Sequence, residues 1–404
     1  MRSVYKFGGS SIKCAATIKE IAHLITACPN DALVVLSATH NSTNELEEIY
    51  KSSNYEKLLS DFFNKHQAII SELELDLSLE HLMTELELNL EKSKGEALLD
   101  AVYSIGERTS TLILSSYLEK LGHRHFHADA RDYIRTNRDF NNAKVLFKNT
   151  KDKCSHLLGK SLVITQGFIA RTLEGETTTL GREGSDYTAG VFAYCLNATN
   201  VTIWKDVPGV LNADPRVFEQ TTLLHKISYK EAVEMAFYGA SVIHPKTIQP
   251  LEQKNIPLYV RSFFDVNTQG TCVSEGKGIA PEIPCYIVKK NQILVAISAK
   301  DFSFMVEDNI SDVFKKLHHY KLKVNLIQNS AISFSVCIED KYQLFDDFYK
   351  DLEKEYTIKT YKNTALYTIR HFDDKAIETI KKRGKSIIRQ INTETAQFVI
   401  QENL

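Results

Sequence analysis

Thr177-Thr178-Thr179-Leu180-Gly181-Arg182-Glu183-Gly184-Ser185-Asp186-Tyr187-Thr188-Ala189 is the stretch on which the fold of this chain turns. It is a hydroxyl- and glycine-rich turn that carries an arginine and an aspartate and then enters a helix. Ser185 or Asp186 suits the N-cap, because a short oxygen side chain there accepts the free amide hydrogens of the first turn. Such a helix start offers unpaired N–H groups and the positive end of a dipole, a seat for an anion. Arg182 adds a guanidinium that can grip a carboxylate through two parallel hydrogen bonds. Further on, the apolar strand Val201–Trp204 gives way to Lys205-Asp206-Val207-Pro208-Gly209, followed by Asp214-Pro215-Arg216. Loops after buried strands are where α/β proteins hold their ligands. Two anion-handling loops joined by one helix predict a phosphate donor and a carboxylate acceptor side by side.

Around this stretch, short apolar strands alternate with helical runs as far as about Phe263. Strands are expected at Val4–Phe7, Ala32–Ala38, Leu162–Thr165, Val201–Trp204 and Pro257–Val260, with the near-continuous apolar character of a parallel sheet covered on both faces. Helices are expected over Thr17–Ala27, Glu107–Leu121, Asp186–Leu196 and Ser228–Tyr238, the last opened by a Ser228-x-x-Glu231 capping box and stopped at Gly239. Leu73–Leu90 alternates like a strand, yet Leu75, Leu79, Leu82, Leu86 and Leu90 share one helical face, so we read it as helix. Gly276–Pro284 has the composition of a linker. After it come a strand at Ile293–Ser298, a helix at Ile310–His319, strands at Val324–Gln328 and Ile332–Ile338, and a helix at Tyr342–Glu355. A strand at Leu366–Arg370, a helix at Asp374–Arg383 and a strand at Thr395–Ile400 complete the chain. This is a βαββαβ pattern with a partial second copy, a ferredoxin-like arrangement.

With 404 residues, 43% hydrophobic and 25% charged, the chain has the composition of a soluble protein of two or three domains. The 49 basic and 51 acidic residues nearly cancel, which leaves no field to draw nucleic acid or anionic lipid. No apolar run approaches the roughly 18 residues of a membrane span, and Met1 runs straight into Val4–Phe7, so no leader is expected. Seven dispersed cysteines without a Cys-x-x-Cys pair fit free thiols in the cytoplasm.

Lys6-Phe7-Gly8-Gly9-Ser10-Ser11 follows the first strand. Its glycines let backbone approach a phosphate, and Lys6 at the strand end could bridge donor and acceptor charge. A strand–turn–helix junction also needs flexible residues, so the motif by itself is weak. Glu107, after Gly106, is placed where a helix dipole alone favours a carboxylate. His123, His125 and His127 alternate as on one strand face, but no fourth ligand lies nearby, and exposed strand histidines are the simpler account. No protein metal site is expected.

Assembled, these residues resemble the aspartokinases of the amino acid kinase superfamily. The resemblance runs through Lys6–Ser11, Ser37-Ala38 to Thr43-Asn44, Gly106-Glu107, Arg135-Thr136-Asn137, Gly167-Phe168-Ile169, Thr177–Ala189, Trp204–Arg216 and Gly239-Ala240 to His244-Pro245. It implies an α/β fold: a three-layer αβα kinase domain over residues 1–275, then two interlocked ferredoxin-like ACT modules over 285–404, the second shortened. It implies ATP and Mg²⁺ as cofactors, L-aspartate as acceptor and Lys6, Asp186 and Arg182 as catalytic residues. Thr43, Glu107, Arg182 and Ser185 would hold aspartate, Glu107 taking its α-ammonium and Arg182 its α-carboxylate. Lys6, Gly8, Gly9, Ser10, Lys205, Asp206, Leu211, Arg216, Ser241 and Val242 would hold the nucleotide. A homodimer through the ACT modules and feedback by lysine or threonine are implied as well.

The chain departs from the family pattern in places. Ser241 stands where many relatives carry a second lysine; Lys205 replaces a commoner threonine and Leu211 a frequent tyrosine; Val324-Asn325-Leu326-Ile327 and Ser330-Ala331 differ from the lysine-sensing pattern. Lys205 and Lys246 are the two candidates to supply the missing charge, and we favour Lys205 for its strand-end position. A glutamate or nucleotide kinase, and an amino-acid sensor with an inactive kinase domain, are the competing readings. Arg182 paired with Glu107 disfavours the first, and an intact Lys6, Arg182 and Asp186 the second.

Overall fold

A computed structural model describes residues 2–27, 31–240 and 243–402. These divide into two compact units: one holds the chain up to Val210, Leu223–Ala236 and the described stretch that ends at Pro281; the other holds Leu211–Thr222, Phe237–Ala240 and the chain from Glu282 on.

The first unit is built on a nine-stranded sheet in the order Ile279–Ala280, Lys226–Ser228, Thr271–Ser274, Leu258–Ser262, Asn200–Lys205, Ser3–Phe7, Leu33–Leu36, Val163–Gln166, Phe126–Ala128. The last six of these are mutually parallel. The central Ser3–Phe7 strand sets Lys6 beside Val35 and Ile203, and Phe7 beside Leu36 and Trp204. Its next strand in sequence lies on one side and a strand from two hundred positions later on the other. A reversal of this kind opens a crevice beyond the carboxyl ends of the strands. Strand alternation then sorts the side chains. Phe7 and Trp204 stack with ring centroids 6.1 Å apart and join the core beneath helices Ala15–Thr26, Glu56–Glu72, Glu80–Leu90 and Glu96–Lys120. Lys6 and Lys205, one residue out of phase, take the opposite face, where both meet Asp186 of helix Gly184–Leu196. That helix closes on Pro245–Glu252 at Gly190, whose absent Cβ would lie 3.0 Å from the Thr247 carbonyl oxygen. The result is three layers, αβα. A small sheet of Arg135–Thr136, Ile169–Thr172 and Thr177–Thr179 sits beside it.

Several expected elements move. The helix read from Glu107 spans Glu96–Lys120, so Glu107 lies at its middle and not at its start. Gly106 is there for a close crossing: a Cβ would fall 3.0 Å from Ala38 Cβ and 3.1 Å from Leu46 Cδ1. Neither Ser185 nor Asp186 is the N-cap; Glu183, at φ 54°, precedes a helix that opens at Gly184. Over 73–90 only Glu80–Leu90 is helical, after Leu73 ends the helix Glu56–Glu72 and Glu74 turns at φ 53°, although the five leucines all reach the core as read. The linker at 276–284 contributes strand Ile279–Ala280 to the sheet edge, paired with Ile227 and Lys226.

The second unit is an antiparallel six-stranded sheet, ordered Lys323–Asn329, Phe334–Glu339, Cys285–Ala299, Tyr356–Arg370, Thr395–Glu402, Gly384–Ile391. The strands expected at Ile293–Ser298 and Leu366–Arg370 are parts of two 15-residue strands, and Gly384–Ile391 was not foreseen. Helices Glu307–His319 and Phe345–Leu352 cover one half, around Val295, Val313, Leu317, Phe334 and Phe348. Helix Asp374–Lys381 covers the other, around Tyr367, Ile377, Ile380 and Phe398, joined by Phe218 from the 211–222 segment. Where the halves meet, the register between the two long strands shifts around Gln292. The buried Gln292 side chain accepts from Asn325 Nδ2 at 2.7 Å, its backbone carbonyl accepts from Thr364 Oγ1 at 2.9 Å, and Lys289 donates to Asn325 Oδ1 at 2.9 Å.

Candidate active site

The crevice at the strand ends is a cleft of about 360 Å³. Lys6, Gly9 and Ser10 enter it from the first strand and the turn after it; Ser37 to Asn41 and Thr43 come from the loop after Leu33–Leu36 and the helix it enters, Ser42–Lys51. Glu107 and Phe168 line it too, with Gly181 and Glu183 to Asp186 from the glycine-rich turn.

At its base Lys6 Nζ lies 2.6 Å from Asp186 Oδ1, and Lys205 Nζ lies 3.5 Å from Asp186 Oδ2. The aspartate is fully buried. Burial opposes its charge, but Lys6 and then Lys205 outweigh that and hold its carboxyl below the ordinary value. Two ammonium groups over one carboxylate leave positive charge in excess, in a site where water screens it poorly. That is the electrostatics an entering polyanion requires. Lys205, favoured over Lys246 in the sequence, therefore points toward Lys6, whereas Lys246 is held by Asn142 Oδ1.

Glu107 is 3% exposed, and its Oε2 has no hydrogen-bond partner. Burial pushes its carboxyl up to about 8, against hydrogen bonds from its own backbone and that of Ala38 and the charge of Lys6. A neutral acid with an unused acceptor oxygen facing a cleft is a receptor for a cation: an arriving ammonium makes ionisation favourable.

The turn that carries Arg182 is braced from below. Asp100, fully buried on the Glu96–Lys120 helix, accepts from Thr179 N at 2.8 Å, Thr179 Oγ1 at 2.6 Å and Asn141 N at 2.9 Å. Gly181 at φ 75° then turns the chain, and Arg182 projects to solvent beside the cleft residues Gly181 and Glu183. Gly167 lets the end of Val163–Gln166 touch the helix start, since its Cβ would lie 2.5 Å from Ser185 Cβ.

Lys6, Gly9, Ser10, Thr43, Glu107, Ser185 and Asp186 are thus brought together around one cleft, with Lys205 meeting Asp186. Gly8 adjoins it, a Cβ there falling 3.4 Å from Lys6 Nζ. Asp206 is exposed on the loop after Lys205. Leu211 and Arg216 belong to the second unit, where Arg216 pairs with Asp214 at 2.7 Å. Ser241 and Val242 lie outside the described residues. Of the three alternating histidines, His125 meets Ser115 and His127 meets Gln166, and among the described residues no His, Cys, Asp and Glu side chains group as a metal site. Sequence reasoning missed Asp100: it is a lone polar residue among apolar neighbours in its helix, and only its long-range partners distinguish it.

The family model described as "Amino acid kinase family" matches residues 1–262. Lysine-sensitive aspartokinase 3 of Escherichia coli (strain K12) is 33% identical over 352 residues, 83% of this chain and 78% of that protein. The crystal structure of E. coli aspartokinase III in complex with lysine and aspartate superposes with a TM-score of 0.84 at 27% identity, over 98% of this chain and 95% of that one. The same enzyme in complex with aspartate and ADP gives 0.81, over 99% and 96%.

Proposed function

This chain belongs to the amino acid kinase family, among the aspartokinases, and we propose that it transfers the γ-phosphoryl group of ATP to the β-carboxylate of L-aspartate, giving 4-phospho-L-aspartate and ADP. The observation that carries this is the pair of ammonium groups, Lys6 and Lys205, on buried Asp186 at a cleft that buried Glu107 also lines.

The chemistry needs no general base. A carboxyl with a reference pKa of about 3.9 is ionised at pH 7, and one of its oxygens attacks the γ-phosphorus while the bond to the β–γ bridging oxygen breaks. No proton has to move. The difficulty is to bring an anion against a polyanion, so positioning and positive charge supply the acceleration. In this reading Lys6 neutralises charge that develops between donor and acceptor, and Asp186 orients Lys6 and Lys205. Gly8, Gly9 and Ser10 approach the phosphates, and Lys205 and Asp206 serve the nucleotide. Glu107 takes the α-ammonium of aspartate, Arg182 its α-carboxylate, and Thr43 and Ser185 the remaining polar groups. Magnesium would be held by the ATP phosphates and water and would offset phosphate charge, since Asp186 is already bracketed by two lysines.

The proposal extends to an ATP-dependent enzyme of the cytoplasm that opens lysine, threonine and methionine synthesis. The 285–404 region acts as a pair of ACT modules that dimerise and bind an amino acid, lysine before threonine. A coupled ADP-release assay with aspartate, glutamate and uridylate tests it. Aspartate alone should drive turnover; release with glutamate or uridylate instead, or with none of the three, would sink the assignment.

A further inference from the structure

We propose that His66 is a positioning residue for the carboxylate acceptor, acting through Thr39 on the loop that brings Asn41 and Thr43 into the cleft. The proposal rests on the aspartate kinase reading above and adds a residue to it.

His66 lies in helix Glu56–Glu72 and is fully buried. Its Nδ1 is 2.7 Å from the Phe62 carbonyl oxygen, and its Nε2 is 2.8 Å from Thr39 Oγ1. A carbonyl can only accept, so Nδ1 carries the hydrogen and Nε2 is the acceptor. The Thr39 hydroxyl must then donate to His66. Thr39 Oγ1 also meets Ser42 Oγ, so the proton between them belongs to Ser42. Ser42 in turn accepts from Lys65 Nζ at 3.2 Å, an ammonium that can only donate. The chain from Lys65 through Ser42, Thr39 and His66 to Phe62 therefore has one direction from end to end. Burial also keeps the imidazole neutral, its pKa lowered to about 4.

This network stands in an apolar setting, with the Phe62 ring centroid 4.5 Å from the imidazole. Apolar residues of similar shape would fill the same space without burying hydroxyls. What a fully satisfied polar chain adds is a fixed geometry. The geometry it fixes is that of cleft residues: Thr39, His40, Asn41 and Thr43 all line the cleft, and Asn41 takes φ 64° to start the Ser42–Lys51 helix. The same loop reaches the acceptor side, because Ser110 Oγ donates to the Ser37 carbonyl at 2.7 Å and the Ala38 backbone hydrogen-bonds the Glu107 carboxyl. His66 should therefore control capture of the acceptor and not of ATP.

Steady-state kinetics on the full chain test this. His66→Leu should raise KM for aspartate about tenfold, the scale of one lost hydrogen bond, Thr39→Val, which also loses Ser42, at least as much, and both should leave KM for ATP within about twofold. His66→Gln, whose terminal carbonyl reaches about as far as Nε2, should recover most of the loss. The double variant should be no worse than Thr39→Val, because that change already breaks the link to His66, and the one to Ser42 besides. Equal loss for ATP and aspartate, or no rescue by glutamine, assigns His66 to packing and overturns the proposal. If His66→Leu does not fold, ¹⁵N spectra of histidine-labelled wild-type protein decide: an unprotonated Nε2 at His66 supports the assignment, and a protonated one overturns it. A wild-type protein without aspartate-dependent ADP release overturns the kinase reading and this inference together; an active one with unchanged KM in both variants overturns His66 alone.

Discussion

Burial keeps the Glu107 carboxyl protonated at neutral pH in the free protein, and in the proposed reading that proton leaves when the α-ammonium of aspartate arrives. The folded carboxyl titrates at about 8 against an ordinary value of 4.5. Between those values the unfolded chain has lost a proton that the folded chain retains, so stability falls as pH rises through this window and levels off above it. Ligand-free wild-type protein should lose unfolding free energy between pH 5 and 8, and Glu107→Gln should flatten that slope in denaturant titrations. KM for aspartate should fall as pH rises toward 8 in the wild type, and it should rise at least tenfold, without the pH trend, in Glu107→Gln. Lys6→Ala should lower kcat by about a hundredfold or more if its charge acts mainly in the transition state. Lys205→Ala should raise KM for ATP more than KM for aspartate, and Lys246→Ala, whose ammonium is spent on Asn142, should do little. Arg182→Lys should act chiefly on KM for aspartate, since an ammonium cannot form the two-pronged contact. Lys6, Ser185 and Asp186 were legible as cleft residues because glycines and short oxygens cluster around them in sequence, whereas Arg182, read from the same cluster, projects to solvent beside the cleft. His66 and Asp100 were not, because their meaning lies in partners 27 and 79 positions away.

At the scale of elements, the most consequential contact is the crossing of helices Glu96–Lys120 and Ser42–Lys51 at Gly106. With Ala38 Cβ and Leu46 Cδ1 within 3.1 Å of any added Cβ, this glycine sets how closely Glu107 approaches the 37–43 loop. Gly106→Val should cost roughly 1–3 kcal/mol of stability through overpacking and should raise KM for aspartate, both readable in one purified variant. The same glycine explains why the helix was read as starting too late. A Gly-Glu pair resembles a helix start, and sequence alone does not distinguish a glycine that ends a loop from one that admits a neighbouring helix. Five of the six mutually parallel strands, in contrast, were legible to within about two residues, because burial on both faces writes itself as an unbroken apolar run; the half-buried edge strand Phe126–Ala128 was not. The edge strand Ile279–Ala280 escaped notice because two residues between glycine and proline carry no periodicity.

For the whole molecule, we expect the chain to run as a dimer by light scattering, since the 285–404 sheet ends in edge strands that pairing would cover. Calorimetry with L-lysine, then L-threonine, should detect binding; a monomeric mass together with silence for both amino acids would count against the regulatory half of the proposal. The βαββαβ order was legible from alternating strand and helix signals. That its two halves share strands was not, since a 15-residue strand with a break at Gln292 reads as a strand next to a loop. The sharing has an evolutionary consequence. Cys285–Ala299 and Tyr356–Arg370 each run through both halves, so no cut in the polypeptide releases one half whole. A recombination event could not swap one half for another as a cassette, and divergence of either half has to proceed by point changes on a common spine, with Gln292, Asn325 and Lys289 as the seam that any such change must respect.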